Sequence, residues 1–127
     1  MKNLLPPIGG IFIWKGEEKM NASIAIQVLP KVAVTGAEAG KSEKTELIRI
    51  VDEVIAYIKS TGLNYYVGPF ETTVDGDYGA LMEIVKNCQL ICVKEGAIGV
   101  SSYVKIVYQP DEEGVWSIEE KVSKHHK

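Results

Sequence analysis

The sequence predicts an α+β sandwich of the ferredoxin-like type, in which two helices cover one face of a four-stranded antiparallel sheet. This prediction rests on stretches of alternating apolar residues, on two stretches with apolar residues every three or four positions, and on their order β-α-β-β-α-β. With 127 residues, the chain has the length of one average domain. We therefore expect a single domain over residues 20–110, with an N-terminal extension, 1–19, and a C-terminal tail or short helix, 111–127.

The first strand is predicted over residues 20–30, where apolar side chains such as Ile24 and Ile26 occupy alternate positions. A period of two places neighbouring side chains on opposite faces of a sheet. Pro30 is expected to end this strand. The next residues, 31–41, contain two glycines and no sustained periodicity, which predicts a surface loop.

The first helix is predicted to begin at Ser42, because serine is favoured at the N-cap and carboxylates follow in the next turns. From Leu47 to Ile58 apolar residues recur at intervals of three and four, which gives a helix one apolar face. Gly62 then supplies a C-terminal stop.

Two short stretches rich in aromatic and β-branched residues, 63–67 and 70–75, are separated only by Gly68 and Pro69. This pattern predicts a pair of strands joined by a tight turn.

A second helix is predicted after this strand pair, with an apolar face from Leu81 to Cys92 and an end near Gly96. Cys88 and Cys92 lie four residues apart, so their Cβ atoms would be roughly 6 Å apart on one helical face. A disulfide needs about 3.8 Å between these atoms. We therefore expect two free thiols in the core.

The last strand of the sheet is predicted over residues 98–108 by the same alternation, and Pro110 closes it. Residues 115–127 are predicted to form a short polar helix. His125 and His126 lie in this tail, where paired histidines are ordinarily surface residues, so we expect no metal site.

The face of the sheet that the two helices leave uncovered mixes apolar and polar residues. It is too apolar for open water and too polar for a core, which predicts a contact between subunits. The residues predicted on this face are Ala25, Leu29, Tyr103 and Val107, beside Gln27 and Lys105.

Charge and composition argue against two classes of partner. The net charge is -3, and Arg49 is the one arginine that could form a bidentate contact with a phosphate or a guanine, so we expect no nucleic-acid partner. No apolar run approaches the ~20 residues of a membrane span, and the first residues do not resemble a secretory signal. We therefore expect a cytoplasmic protein.

From residue 20 to residue 108, the chain resembles the small thiamine-binding proteins, a ferredoxin-like family. The shared features are the alternating first strand that ends in proline, Ser42 at the start of the helix, and Gly99-Val100 before the last strand. The segment Gly68-Pro69-Phe70-Glu71-Thr72-Thr73-Val74-Asp75-Gly76 resembles the family's Gly-Pro-Met-x-Thr-Thr-x-Glu-Gly. This chain departs from the family at two positions, with Phe70 in place of Met and Asp75 in place of Glu.

This resemblance implies non-catalytic binding of thiamine, or of its hydroxymethylpyrimidine part, by a homodimer or homotetramer. It implies no cofactor other than this ligand. Thiamine combines a thiazolium cation with an aminopyrimidine, so its site needs an anionic or π-rich surface and hydrogen-bonding groups. The candidate ligand-binding residues are Gln27, Ser42, Thr72, Thr73, Asp75, Tyr103 and Lys105.

Several of these residues also have ordinary structural explanations. Thr72 and Thr73 are good strand formers, and the segment from Asp75 to Asp77 could cap the second helix. Lys105 fits a snorkelling or interface lysine better than a phosphate-binding one, unless the ligand is phosphorylated.

Two other function classes stay open at this point. The sequence offers no nucleophile elbow, no phosphate-binding glycine loop and no evident acid/base pair, so we expect no enzyme, although a small isomerase with a Thr/Asp site is an alternative. A regulatory or assembly module that acts through the open face of the sheet is the other alternative.

Overall fold

The computed structural model describes residues 3–4, 14–15, 20–33 and 39–125, with side chains over 20–33 and 43–123. The strands are β1 (Asn3–Leu4), β2 (Trp14–Lys15), β3 (Ala22–Lys31), β4 (Asn64–Val67), β5 (Thr72–Gly76) and β6 (Gly99–Tyr108). The helices are α1 (Ala39–Ser60), α2 (Tyr78–Lys94) and α3 (Ile118–His125). From β3 to β6 the order is β-α-β-β-α-β, which confirms the predicted ferredoxin-like α+β fold.

The main sheet has the strand order β4-β5-β3-β6, and all of its pairs are antiparallel. β3 pairs with β6 over the full ten residues of each strand. β5 is only five residues long, and it pairs with β3 from Ala22 opposite Gly76 to Ile26 opposite Thr72. The second half of β3 therefore has a free edge on the side of β5.

The hydrophobic core lies between this sheet and the helices α1 and α2. Ile50, Val54 and Ile58 recur every four residues and form one buried face of α1. Both cysteines are buried as free thiols in α2, as expected, and burial raises the pKa of Cys88 to about 12. The sheet contributes the alternate residues that face the helices, among them Ile24, Ile26 and Val74.

Two predicted boundaries are wrong. β3 continues through Pro30 to Lys31. A proline has no N–H to donate, but β5 does not pair with β3 beyond Ile26, so no neighbouring carbonyl on that side needs this hydrogen bond. α1 begins at Ala39 and so takes up the end of the predicted loop. Ser42 lies inside this helix and is not its cap, since the residues before it also accept helical geometry.

The N-cap of α2 is Asp77. Its Oδ2 accepts hydrogen bonds from the backbone N–H groups of Gly79 at 3.0 Å and Ala80 at 3.3 Å. Capping of α2 therefore falls to Asp77, and Asp75 makes different contacts.

The predicted C-terminal helix is present as α3, and it lies against the face of the sheet opposite α1 and α2. The backbone N–H of Ile118 donates to Asp75 on β5 at 2.7 Å, and Lys121 Nζ donates to Ser23 Oγ on β3 at 3.4 Å. The chain itself thus covers part of the face that the sequence suggested was open. Leu29, Tyr103 and Val107 on the same face stay exposed.

We predict that a variant beginning at Met20 folds like the full chain. In the described part of the chain, β1 and β2 pair only with each other, and the core uses residues from Ala22 onward. Removal of residues 1–19 should leave the far-ultraviolet circular dichroism intact and change the unfolding free energy by about 1 kcal/mol or less. A shortened chain without a cooperative unfolding transition would show that the extension is a necessary part of the core.

Candidate functional site

A cavity of about 200 Å³ lies between α1, the free edge of β3 and the turn from β4 to β5. Ile26 and Val28 lie on the face of β3 that is directed towards the helices, whereas Gln27 and Leu29 lie on the opposite face. All four residues line the cavity. Residues from both faces meet only at the edge of a strand. The cavity therefore occupies the place that a longer β5 would have filled.

The backbone of β3 also reaches this free edge. Asn21 directs its carbonyl towards β6, where it accepts the N–H of Gln109 at 2.7 Å. In an antiparallel ladder, consecutive residues direct their peptide groups to alternate sides. Val28 lies seven residues after Asn21, and because seven is odd, Val28 directs its N–H and C=O to the side opposite β6, towards the cavity.

The turn that closes the cavity is fixed by a glycine. The N–H of Gly68 donates to the carbonyl of Glu71 at 2.9 Å, and a Cβ at Gly68 would lie 2.9 Å from the same oxygen. Any larger residue would push the two arms of the turn apart. This contact holds Phe70 at the tip of the turn, where the side chain is 80% exposed at the cavity mouth.

The walls of the cavity are mainly apolar. α1 contributes Val51, Val54, Ile55 and Ile58 from one side. Such a lining favours a flat ring over a strongly hydrated group, and a volume of about 200 Å³ has room for one ring system rather than for a large drug-like molecule.

Three polar side chains interrupt this apolar lining. Gln27 supplies an amide and Thr72 a hydroxyl, and of the described residues around the cavity only Glu71 is ionised. An amide and a hydroxyl can each donate and accept a hydrogen bond. The site can therefore fix the orientation of a ring that carries both donors and acceptors.

Glu71 forms an ion pair with Lys105 of β6, with 2.9 Å between Oε1 and Nζ. Lys105 lies opposite Ala25, which in turn lies opposite Thr73. The small side chain of Ala25 leaves space for the lysine to cross β3 and reach the turn. Both partners contact solvent, with 74% of the Lys105 side chain and 37% of the Glu71 side chain exposed.

A separate polar cluster surrounds Asp75 under α3. Asp75 is 1% exposed, and its carboxylate accepts hydrogen bonds from Ser23 Oγ at 2.8 Å, Asn64 Nδ2 at 3.2 Å and the N–H of Ile118 at 2.7 Å. The same Asn64 amide donates to Glu119 at 2.9 Å. The backbone N–H of Glu119 and this amide lower the pKa of the Glu119 carboxyl. Asp75 thus anchors the first turn of α3 to the sheet.

Four of the candidate ligand-binding residues lie at or beside the cavity. Gln27 and Thr72 line it. Tyr103 lies directly opposite Gln27 on β6, with its ring exposed, and Lys105 reaches the cavity through its ion pair with Glu71. The role of each in ligand binding stays a prediction.

The other three candidates are not brought into the cavity by the described structure. Thr73 follows Thr72 and therefore faces the opposite side of the sheet. Asp75 is covered by α3, so a direct contact with a ligand would require this helix to move. Ser42 lies in α1, and its side chain is outside the described residues.

Sequence reasoning missed the wall of α1. It placed Glu71 on one strand face with Thr73 and Asp75 and offered Phe70 as a stacking surface, but it did not include these two residues among the candidate ligand-binding residues. One feature of the sequence does point to this edge of the sheet: the predicted first strand, 20–30, is longer than the predicted strand that follows the Gly68-Pro69 turn, 70–75. Unequal partners leave an unpaired edge, and the turn before the shorter strand must lie beside it.

None of the described helices combines the length and hydropathy that a bilayer-spanning segment needs. Within the same residues, no group of three or more His, Cys, Asp or Glu side chains is arranged to hold a metal ion.

Comparison with known proteins identifies relatives over most of the chain. Residues 25–126 match the family model described as Thiamine-binding protein. A UPF0045 protein of Clostridium perfringens is 43% identical over 103 residues, which cover 81% of this chain and 95% of that protein.

Solved structures with the same fold agree with this match. A domain of unknown function, DUF77, from Bacillus cereus is 29% identical with a TM-score of 0.68, over 85% of this chain and 91% of that chain. A protein provisionally assigned to thiamine biosynthesis or salvage in Thermotoga maritima is 32% identical with a TM-score of 0.62, over 82% and 97% of the two chains.

We predict that Asp75→Ala loosens α3. The substitution leaves the N–H of Ile118 and the Asn64 amide without their acceptor, so the unfolding free energy should fall by about 2–4 kcal/mol in denaturant titrations. Asp75→Asn should cost less, about 1 kcal/mol, because its oxygen can still accept from Ile118 and its amide can donate to Ser23. Parent-like stability in the alanine variant would show that Asp75 does not anchor this helix.

Proposed function

Because this chain belongs to the family of thiamine-binding proteins, we propose that it binds thiamine, or the hydroxymethylpyrimidine part of thiamine, in the cavity at the free edge of β3. The observation that carries this proposal is the position of the cavity. It is lined by the segment from Gly68 to Thr72, which is part of the stretch that resembles the family's Gly-Pro-Met-x-Thr-Thr-x-Glu-Gly.

The chemistry of the cavity supports the proposal. The aminopyrimidine ring is flat and carries an amine donor and ring-nitrogen acceptors, which suit the amide of Gln27, the hydroxyl of Thr72 and the peptide group of Val28. The apolar walls from α1 suit the faces of the ring, and Phe70 at the mouth can stack on a second ring. An aminopyrimidine ring also suits the volume of about 200 Å³.

We propose binding without turnover. Among the described residues around the cavity, the one carboxylate is Glu71, and the charged group beside it is the ammonium of Lys105 at 2.9 Å. The described lining offers no second carboxylate and no histidine as an acid or base partner. The thiols of Cys88 and Cys92 are buried in α2, and burial raises the pKa of both. The proposed function needs no cofactor.

We also propose that the chain acts as a homo-oligomer, a dimer or a tetramer, that associates through the uncovered part of the sheet. Leu29, Tyr103 and Val107 share one face and stay exposed although α3 covers part of it. A cluster of exposed apolar side chains of this kind is typical of a protein contact. Assembly through this face alone, without a ligand, is the second candidate function, and the same exposed residues favour it.

We predict that calorimetric titration detects binding of thiamine and of hydroxymethylpyrimidine, and that filling the cavity weakens this binding. Val51→Phe places a larger side chain on the α1 wall and should weaken both ligands at least tenfold. Ile48→Phe adds the same ring to α1 at an exposed position outside the cavity and should leave affinity unchanged.

Circular dichroism of both variants checks that they are folded. No binding of either ligand by the parent protein at millimolar concentration would refute the proposed function. Unchanged affinity in a folded Val51→Phe variant would place the ligand elsewhere.

We predict that light scattering at micromolar concentration gives a multiple of 14.0 kDa. Val107→Glu introduces a charge into the exposed face and should lower the mass towards one chain, because a buried unpaired charge is costly. Leu90→Glu makes the same change at an exposed position of α2 and should leave the mass unaltered. A parent mass of one chain would contradict the oligomer.

A further inference from the structure

The geometry points to Glu71 as the residue that selects a positively charged ligand, with Lys105 as its counter-ion while the cavity is empty. The ligand's cation replaces the lysine ammonium on binding, so the site takes a flat monocation and discriminates against phosphorylated forms. This inference rests on the proposed function and adds the charge class of the ligand and the residues that set it.

The charge of the cavity comes from one side chain. Of the described lining residues, Glu71 alone is ionised, and its neighbours in the lining are mostly apolar. A ligand in the cavity excludes water from the apolar side of Glu71, so the carboxylate acts more strongly on a charge of the ligand than it does on the solvated lysine. A cationic ring gains from this interaction, whereas a phosphate group in the same place is repelled.

The Glu71–Lys105 ion pair is easy to exchange. The two groups are 2.9 Å apart, but most of the lysine side chain and more than a third of the glutamate side chain are in contact with solvent. Ion pairs with this exposure contribute little to stability. Lys105 lies opposite the small side chain of Ala25, and with 74% of its own side chain exposed the lysine can return to water.

Hydration favours the replacement of the Lys105 ammonium by a ring cation at Glu71. An ammonium is a compact and strongly hydrated point charge, and it regains its full hydration when it leaves Glu71. A delocalised ring cation is more weakly hydrated, so it loses less when it binds beside Glu71. Lys105 is therefore a competitor of the ligand, and its removal should strengthen binding.

The turn itself does not depend on the charge of Glu71. The contact with Gly68 uses the backbone carbonyl of Glu71, not its side chain. Glu71→Gln therefore removes the negative charge while the shape of the turn and of the cavity is preserved. The variant isolates the electrostatic contribution.

Calorimetric titration of the full chain with a cationic and a neutral ligand tests the inference. Glu71→Gln should weaken thiamine about tenfold or more and change hydroxymethylpyrimidine, which lacks the thiazolium charge, by less than about twofold. Lys105→Met should strengthen thiamine about two- to fivefold. Lys86→Met removes the same charge from the exposed Lys86–Glu83 pair of α2 and should have no effect.

Thiamine diphosphate supplies a readout that does not need the neutral ligand. The parent protein should bind thiamine diphosphate more weakly than thiamine. In Glu71→Gln, the affinities for these two ligands should differ by less than they do in the parent. Two results overturn this inference and leave the proposed function intact. One is that Glu71→Gln lowers the affinities for thiamine and for hydroxymethylpyrimidine equally, and the other is that Lys105→Met binds thiamine more weakly than the parent. No binding of thiamine or of hydroxymethylpyrimidine by the parent overturns the proposed function and this inference with it.

Discussion

The mismatch in length between β3 and β5 is the constraint on which the site depends. β3 has ten residues and β5 has five, so the sheet is complete at one end and lacks a strand at the other. α1 crosses this gap on one side, and the Gly68 turn closes it on another. The cavity is thus a consequence of strand pairing, and the residues around it belong to three elements that are far apart in sequence.

Two carboxylates of one segment have different roles because their environments differ. Asp75 is buried, and three donors satisfy its oxygens, so its charge is used within the fold to hold α3. Glu71, four residues earlier, lies at the cavity and has one solvent-exposed lysine partner. A satisfied buried charge stabilises one arrangement, whereas a loosely paired charge at an opening is free to meet a ligand.

Local periodicity was sufficient to predict the elements, and it was insufficient for the site. The alternation in β3 and the three-and-four spacing in α1 are properties of neighbouring residues, and both elements form, although β3 continues past Pro30 and α1 begins at Ala39 rather than at Ser42. Resemblance to a family directed attention to Gln27 and Thr72, which line the cavity. Asp75 was harder to interpret, because its partner Ile118 lies 43 residues further along the chain and no local pattern connects the two.

Backbone amide chemical shifts measured during a thiamine titration show whether thiamine binds at the free edge of β3. We expect the largest saturable shifts at the amides of Val28, Gly68 and Glu71. Shifts concentrated instead around Asp75 and Ile118, with the amides at the cavity unchanged, would contradict this binding position and place the ligand under α3.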